Sequence, residues 1–402
     1  MRLFHKIFTI ACLSSAALLP ALAHADDVPP AVLAFLANIE RQTHAKPHYD
    51  ALTSDGSGNV TLKNLTLTKA GTGDDPGVTV KTAEVGFSGI TEEAPSLFKV
   101  AKANFTNTSV EVSGKDVALS ASIPNASAEG WYIRSVSATP TPKEELLSSG
   151  TFAQHIASGP VSITSAGQTV TIDNVESNWN GDPATGAGKF SLKINNVALP
   201  ESTVTLLDQG GMLKQLGYTT LNLDLASDTD LTVNGDNLNY GFTVSLSGRN
   251  IGGLKFAGTV NDVPVSAYAE MMRAQSEGKP IDFDKLAPEF QNVVVNSASV
   301  RFDDASITKK ILPLAAAMQG LDEKTLVASI PPTVQLTLIQ LQNEALTKQA
   351  VDAVTRFLAD PKSLAISANP PTPLKVSEFG MLDPSKPGDA VAKMGLSVTA
   401  NE

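Results

Sequence analysis

Three residue groupings in this chain have types and spacings that could do chemistry. His44 and His48 are four residues apart, so on a helix both rings would face one metal ion. Pro47 stands between them and cannot donate a helical hydrogen bond. No third ligand follows at a metal-site spacing, and His155 lies far along the chain. The histidines therefore read as solvated loop residues.

Ser306-Ile307-Thr308-Lys309 has the Ser-x-x-Lys spacing of serine acyl-transferring penicillin-binding enzymes. That chemistry also needs Ser-Asp-Asn and Lys-Thr-Gly partners, and the chain has neither. Ser96-Leu97-Phe98-Lys99 repeats the spacing by accident. Asp55, Ser57 and Asn59 follow the first three positions of a calcium loop. Val60 then stands where glycine is needed and Thr66 where a bidentate glutamate is needed, so the stretch reads as a turn. Asp228 with Asp230, and Asp74-Asp75-Pro76-Gly77, read as turn or solvent residues. Trp131 and Trp179 in a sheet more often pack than bind. There is no Gly-x-Ser-x-Gly elbow, phosphate loop or dinucleotide fingerprint. No residue is assigned a catalytic, cofactor-binding or metal role, no cofactor is expected, and the expectation is a non-enzyme.

The chain's beginning sets the expected compartment. Arg2 and Lys6 precede a nearly uncharged apolar run, Ile7–Leu22, and Ala23-His24-Ala25 is a small-x-small cleavage site. This is the pattern of a secretory signal peptide, residues 1–25, and the mature chain is expected to start at Asp26 in the periplasm. The lone cysteine, Cys12, falls inside that leader, which leaves the remainder without thiol or disulfide chemistry. The formal charge is −11, and losing Arg2 and Lys6 with the leader makes it −13. An acidic chain without a Lys/Arg cluster argues against nucleic acid and against polybasic membrane contact. Beyond the leader no apolar run is long enough to span a bilayer, so no transmembrane anchor is expected.

The elements follow from periodicity. Val32, Leu33, Phe35, Leu36 and Ile39 predict a helix within 26–43, and Ala45–Asn59 reads as loop. Residues 60–260 alternate with period two: Val117 to Ile123, Phe190 to Ile194, Leu221 to Leu225 and Leu238 to Leu246. That is antiparallel sheet with one wet face. Asn234-Gly235 predicts a hairpin turn.

A shared unit recurs in Val60–Leu65, Val170–Val175 and Leu192–Val197: alternating apolar residues, an Asn, then apolar residues in the opposite phase. One residue is inserted at the Asn, a residue type that tolerates a left-handed or bulged conformation, so the unit reads as a kinked strand or a tight strand–turn–strand and not as a catalytic motif. Asn104–Val110 and Arg301–Ile307 echo each other more weakly.

Helices are expected over Ser202–Leu216, Pro264–Gln275, Ile281–Phe290, from Ser306 to Gly320, and over Asn343–Asp360. Ser306 is the expected N-cap of one and Asp322 the cap of a following helix. Strands are expected at Val293–Phe302, Val334–Leu338, Leu364–Ala368 and Leu396–Val398. The expected class is α+β, mainly β, with a large antiparallel sheet open to elongation and curvature and helices concentrated in the C-terminal third. Residues 26–262 form a helix and a repeat-like β region. Residues 263–402 form a mixed region, either separate or continuous with the first.

Phe357-Leu358-Ala359-Asp360-Pro361-Lys362-Ser363-Leu364, Ala368-Asn369-Pro370-Pro371-Thr372-Pro373 and Leu396-Ser397-Val398-Thr399-Ala400-Asn401 resemble phrases of a family of uncharacterised secreted alphaproteobacterial proteins. Ala317-Met318-Gln319-Gly320 fits the same likeness. The Asn-bearing strand units are similar to those of AsmA-like periplasmic repeat proteins, which implies lipid-handling grooves on long sheets. The N-terminal transmembrane anchor common in those proteins is not expected here, which argues against a bridge between membranes.

The expected function is a non-catalytic soluble envelope protein, a scaffold or a carrier of an apolar ligand, with lipid or another envelope protein as partner. The alternatives are an outer-membrane-associated β protein and a hydrolase of unknown substrate. A sheet with an apolar groove favours the carrier; a core filled on every face favours a plain structural protein.

Overall fold

The computed structural model describes residues 28–402 apart from 44, 56, 72–75, 116, 136–139, 150–151, 277–279 and 380–384. The expected leader, His44 and Asp74-Asp75 thus lie outside the described residues. Among the described residues strand outweighs helix, 49% against 31%, and the fold is mainly β with one antiparallel sheet of 17 strands. The chain divides into two compact units. One runs to Asn196 and takes in Val265–Leu286; the other comprises Val197–Pro264 and Ala287–Glu402.

The first unit opens with helix α1 (Pro30–Thr43). Pro30 starts it, where a missing N–H costs nothing. Val32, Phe35, Leu36 and Ile39 are buried and Leu33 points outward. The segment expected to be loop instead carries strands β1 (Lys46–His48) and β2 (Ala51–Ser54). Both pair with β3 (Val60–Lys69), whose ladder supplies the hydrogen bonds that so short and polar a sequence does not advertise. A meander follows through β4 (Gly77–Ala94), β5 (Leu97–Gly114) and β6 (Val117–Arg134). Helix α2 is Pro142–Ser149. Strands β7 (Ala153–Ser158) and β8 (Val161–Ser165) share β6 on one side and β9 (Gln168–Gly181) on the other. Strand β10 spans Gly188–Leu199.

Helix α1 lies on this sheet. Phe35 meets Phe87 edge-on at 5.1 Å and Trp131 at 5.5 Å between ring centroids. Arg41 donates to Glu145 at 2.7 Å and to Ser148, tying α1 to α2.

The repeated Asn units take their meaning from register. Lys63↔Glu84 and Leu65↔Thr82 flank Asn64 opposite Ala83, while Thr106↔Asn125 and Thr108↔Ile123 flank Asn107 opposite Pro124. Pairing is continuous on both sides, so no single strand carries an inserted residue. The left-handed expectation holds but the bulged one does not: β3, β4, β5 and β6 change phase together along one transverse line. Thr82 and Val85 are both buried across it, as are Leu62 and Leu65. Asn64, Asn107 and Asn196 each sit at φ 52°, the left-handed region Asn tolerates. The amide of Asn64 donates to Asp50 at 2.8 Å and that of Asn196 to Asp173 at 2.9 Å. Asn174 departs from the expectation. It keeps strand conformation and bonds Glu176 and Asn195 through its side chain. There the interruption falls on the partner, between β7 and β8, so β9 needs no left-handed residue.

A second line crosses the same strands at Gly89 (φ 62°) and Gly130 (φ 56°). A Cβ on Gly89 would stand 2.7 Å from that of Ala101, which leaves room for glycine alone, while one on Gly130 would push aside the flexible Gln154 side chain.

In the second unit, the helix expected over Ser202–Leu216 is two, α3 (Glu201–Leu207) and α4 (Met212–Gln215). Gly211, at φ 67°, breaks them. Strands β11 (Leu221–Asn234), β12 (Asn237–Gly248) and β13 (Gly252–Pro264) form a meander. Asn234 pairs with Asn237, so the hairpin loop is Gly235-Asp236, one residue beyond the expected turn centre. Here a true bulge occurs: the β12–β13 register slips between Leu238 and Tyr240, beside Asp262 at φ 58°.

Helices α5 (Val265–Ser276), in the first unit, and α6 (Phe283–Phe290) lead to β14 (Val294–Asp304). Helix α7 is Ile307–Met318 and α8 is Glu323–Leu338, ending in a 3-10 turn, Ile339–Leu341. Helix α9 is Glu344–Ala359. Then come β15 (Ser363–Ala368), β16 (Leu374–Lys375), α10 (Val376–Phe379), α11 (Pro387–Met394) and β17 (Leu396–Ala400).

The strand expected at Val334–Leu338 is therefore wrong. Val334 and Leu338 are also i,i+4 partners, and both turn inward on α8 while Leu336 faces water. Asp322 caps α8, accepting from Thr325 N at 2.9 Å. No helix among the described residues is long and apolar enough to cross a membrane.

Candidate functional site

Period-two alternation gives β12–β15 one apolar face, and their registers align it into rows. Val244 pairs with Phe256, Phe256 with Val300, Val300 with Ile366, and Ile366 with Val398. The next row joins Leu246, Leu254, Phe302, Leu364 and Ala400. At the Phe302 end the face is covered. Helix α9 lays Ala353 and Phe357 against Phe302, Leu364, Val398 and Ala400. Elsewhere it is open: Leu246, Leu254, Phe256, Val300 and Ile366 are 42–55% exposed. Leaving such side chains half wet forgoes roughly 1 kcal/mol each relative to full burial. A contiguous apolar patch of this kind is a mark of an interaction surface.

The opposite face of the same strands is polar. Arg301 bonds Asp303 at 2.8 Å, and Ser297 bonds Thr259 at 3.3 Å. Phe242 also belongs to the apolar face; its ring stacks on that of Tyr240 at 5.7 Å and lies over Gly258.

The residues singled out for chemistry are placed apart. His48 is exposed with Nε2 3.6 Å from Asp50 Oδ1, and His155 Nδ1 pairs with Asn178 Oδ1 at 2.8 Å. No group of three or more His, Cys, Asp or Glu among the described residues could hold a metal ion. Ser306 donates to the Asn250 carbonyl, an acceptor it shares with Tyr218 Oη at 2.9 Å. Its hydroxyl is thus a structural donor. It also makes no capping bond to α7. Asp304 takes that role, receiving Thr308 N at 2.8 Å and Thr308 Oγ1 at 2.7 Å. Lys310 sits over the Tyr218 ring, 3.8 Å from its centroid.

Asp55 accepts from Ser57 N, Asn59 N and Asn59 Nδ2, closing a turn on itself. The Asn59 side-chain bond, then the backbone bond from Ser57, hold its carboxyl below the usual aspartate range. Asp228 and Asp230 lie exposed on the polar face of β11. Trp131 packs with Phe35 and Phe87, and Trp179 with Tyr132 and Phe152, as the sheet pattern implies.

A family model described only as "Uncharacterized protein" matches residues 245–401. The match contains β14, β15, β17 and all of α7–α9, the elements that build and partly cover the apolar face. A search of curated proteins returns no match.

Proposed function

We propose that this protein is a non-catalytic, soluble periplasmic protein of the cell envelope that carries a lipid on the open apolar face of β12–β15. The observation that carries this reading is the row Phe256–Val300–Ile366, half exposed on three hydrogen-bonded strands and continuous with the row that α9 covers. An acyl chain laid across it would bury what the protein leaves wet. The likeness of the strand units to AsmA-like repeat proteins, and of the C-terminal phrases to secreted alphaproteobacterial proteins, supports the same reading.

The test is extraction of natively purified protein followed by mass spectrometry of the organic phase, with added phospholipid as a second arm. Stoichiometric co-purifying lipid, or saturable uptake of added phospholipid, is expected. A lipid-free protein that takes up none sinks the carrier and leaves the scaffold role.

A further inference from the structure

Helix α8 presents two apolar faces, and only one has a partner. Leu326 is buried and Val327, Ile330, Val334 and Leu338 are half-buried on its inner side. On the outer side Ala328, Pro332, Leu336 and Ile339 are exposed, Leu336 by 70% and Ile339 by 63%. At 100° per residue these four fall within about 80° of arc. A helix apolar on all sides is ordinarily covered on all sides.

Two further features say what kind of surface could cover it. Residues 325–343 contain no charged side chain. The hydroxyls of Ser329, Thr333 and Thr337 are also already satisfied within the helix, and of these Ser329 borders the stripe. Ser329 donates to Leu326 O at 2.7 Å, Thr333 to Ser329 O at 2.8 Å, and Thr337 to Thr333 O at 2.9 Å. Hydroxyls bonded back to the preceding turn do not depend on water, so among the side chains bordering the stripe the exposed Gln335 is the one that must keep its water. Pro332 adds no N–H to desolvate.

We infer that the outer face of α8 docks on the surface of an electrically neutral lipid bilayer. Charge selects this occupant. Interfacial helices that seek anionic lipid carry several Lys and Arg beside the apolar face, whereas α8 has one basic residue, Lys324, in its first turn next to Glu323. The chain's net charge of −11 disfavours approach to an anionic surface. At 16 residues α8 is too short to span a bilayer. It would lie in the interface with Leu336 and Ile339 inserted. This contact is separate from the sheet face and gives a lipid carrier its place of loading.

Flotation of the full mature chain with phosphatidylcholine vesicles tests it, alongside vesicles containing a phosphatidylglycerol fraction. The protein is expected to float with neutral vesicles and less with anionic ones. Leu336→Gln/Ile339→Gln is expected to reduce flotation by about tenfold or more, with an unchanged circular dichroism spectrum. Lipid carried by the sheet face is expected to stay with this variant, which separates failure of docking from failure of carriage. Three results overturn the inference: no flotation of the wild-type chain, flotation equal in the variant, or a wild-type dimer in light scattering that the variant abolishes.

Discussion

Phe302 on β14 and Phe357 on α9 meet edge to face with ring centroids 6.1 Å apart, and this contact marks where the apolar sheet face passes from covered to open. Phe357 is buried while Phe302 is only partly so. Removing the Phe357 ring is therefore expected both to destabilise and to enlarge the open face. Phe357→Ala should cost about 3 kcal/mol in urea unfolding. It should also raise binding of an apolar dye relative to the wild-type chain. Loss of stability without added dye binding would mean that α9 does not bound the open face.

The transverse line through Asn64 and Asn107 makes a conformational prediction. At φ 52°, Asn107 occupies a region that a β-branched side chain enters only under strain. Asn107→Gly should leave stability within about 0.5 kcal/mol, and Asn107→Val should lower it by about 2 kcal/mol. Equal effects from the two would show that the side chain, not the backbone angle, matters at the line.

Thr82 and Thr108 are buried cross-strand neighbours whose hydroxyls bond each other at 3.1 Å. Thr82→Val or Thr108→Val alone strands the other hydroxyl and should cost about 1–2 kcal/mol. The double variant removes both polar groups at nearly constant shape and should recover most of that loss. A thermodynamic cycle on chemical unfolding measures the coupling directly.

Much of this architecture was legible because its residues repeat with a period. Leu238 to Leu246 announced β12, and Leu346, Ala350 and Phe357 announced α9. Where two periods coincide the reading failed. Val334, Leu336 and Leu338 alternate by two, yet two of them are also four apart, and the helix won. Strands β1 and β2 were invisible because their ladder comes from β3, not from their own composition. The phase change at Asn64 was legible, but its extent across neighbouring strands needed the register. The candidate surface was half legible. Alternation shows which face of β13 and β14 is apolar; it carries no information on whether a helix covers Phe256 or Val300.

Acid should weaken the start of α8. Asp322 holds Thr325 through its side-chain hydroxyl, then its backbone N–H, and these bonds keep the carboxyl below its usual range. A depressed folded-state pKa means the contribution is complete above the unfolded value, near 4, and is lost as pH falls through the folded one. Asp322→Asn preserves an N-cap acceptor without a titrating group. Unfolding midpoints between pH 6 and pH 2 should therefore fall less steeply in the variant. Parallel curves would show that the cap does not contribute to acid sensitivity.

The open face itself makes the sharpest separation between stability and function. Phe256 and Ile366 are 44% and 55% exposed, so changing them to polar residues removes little packing. Phe256→Ser/Ile366→Ser should shift the unfolding midpoint only slightly, within about 1 kcal/mol. The same change breaks the row Val244–Phe256–Val300–Ile366–Val398 at two of its five positions, where an acyl chain would lie. Phospholipid uptake should then fall about tenfold or more if those two side chains supply the contact. Undiminished uptake in a stably folded variant would move the ligand to another face of the protein, because Phe256 and Ile366 are the two largest exposed side chains of the row.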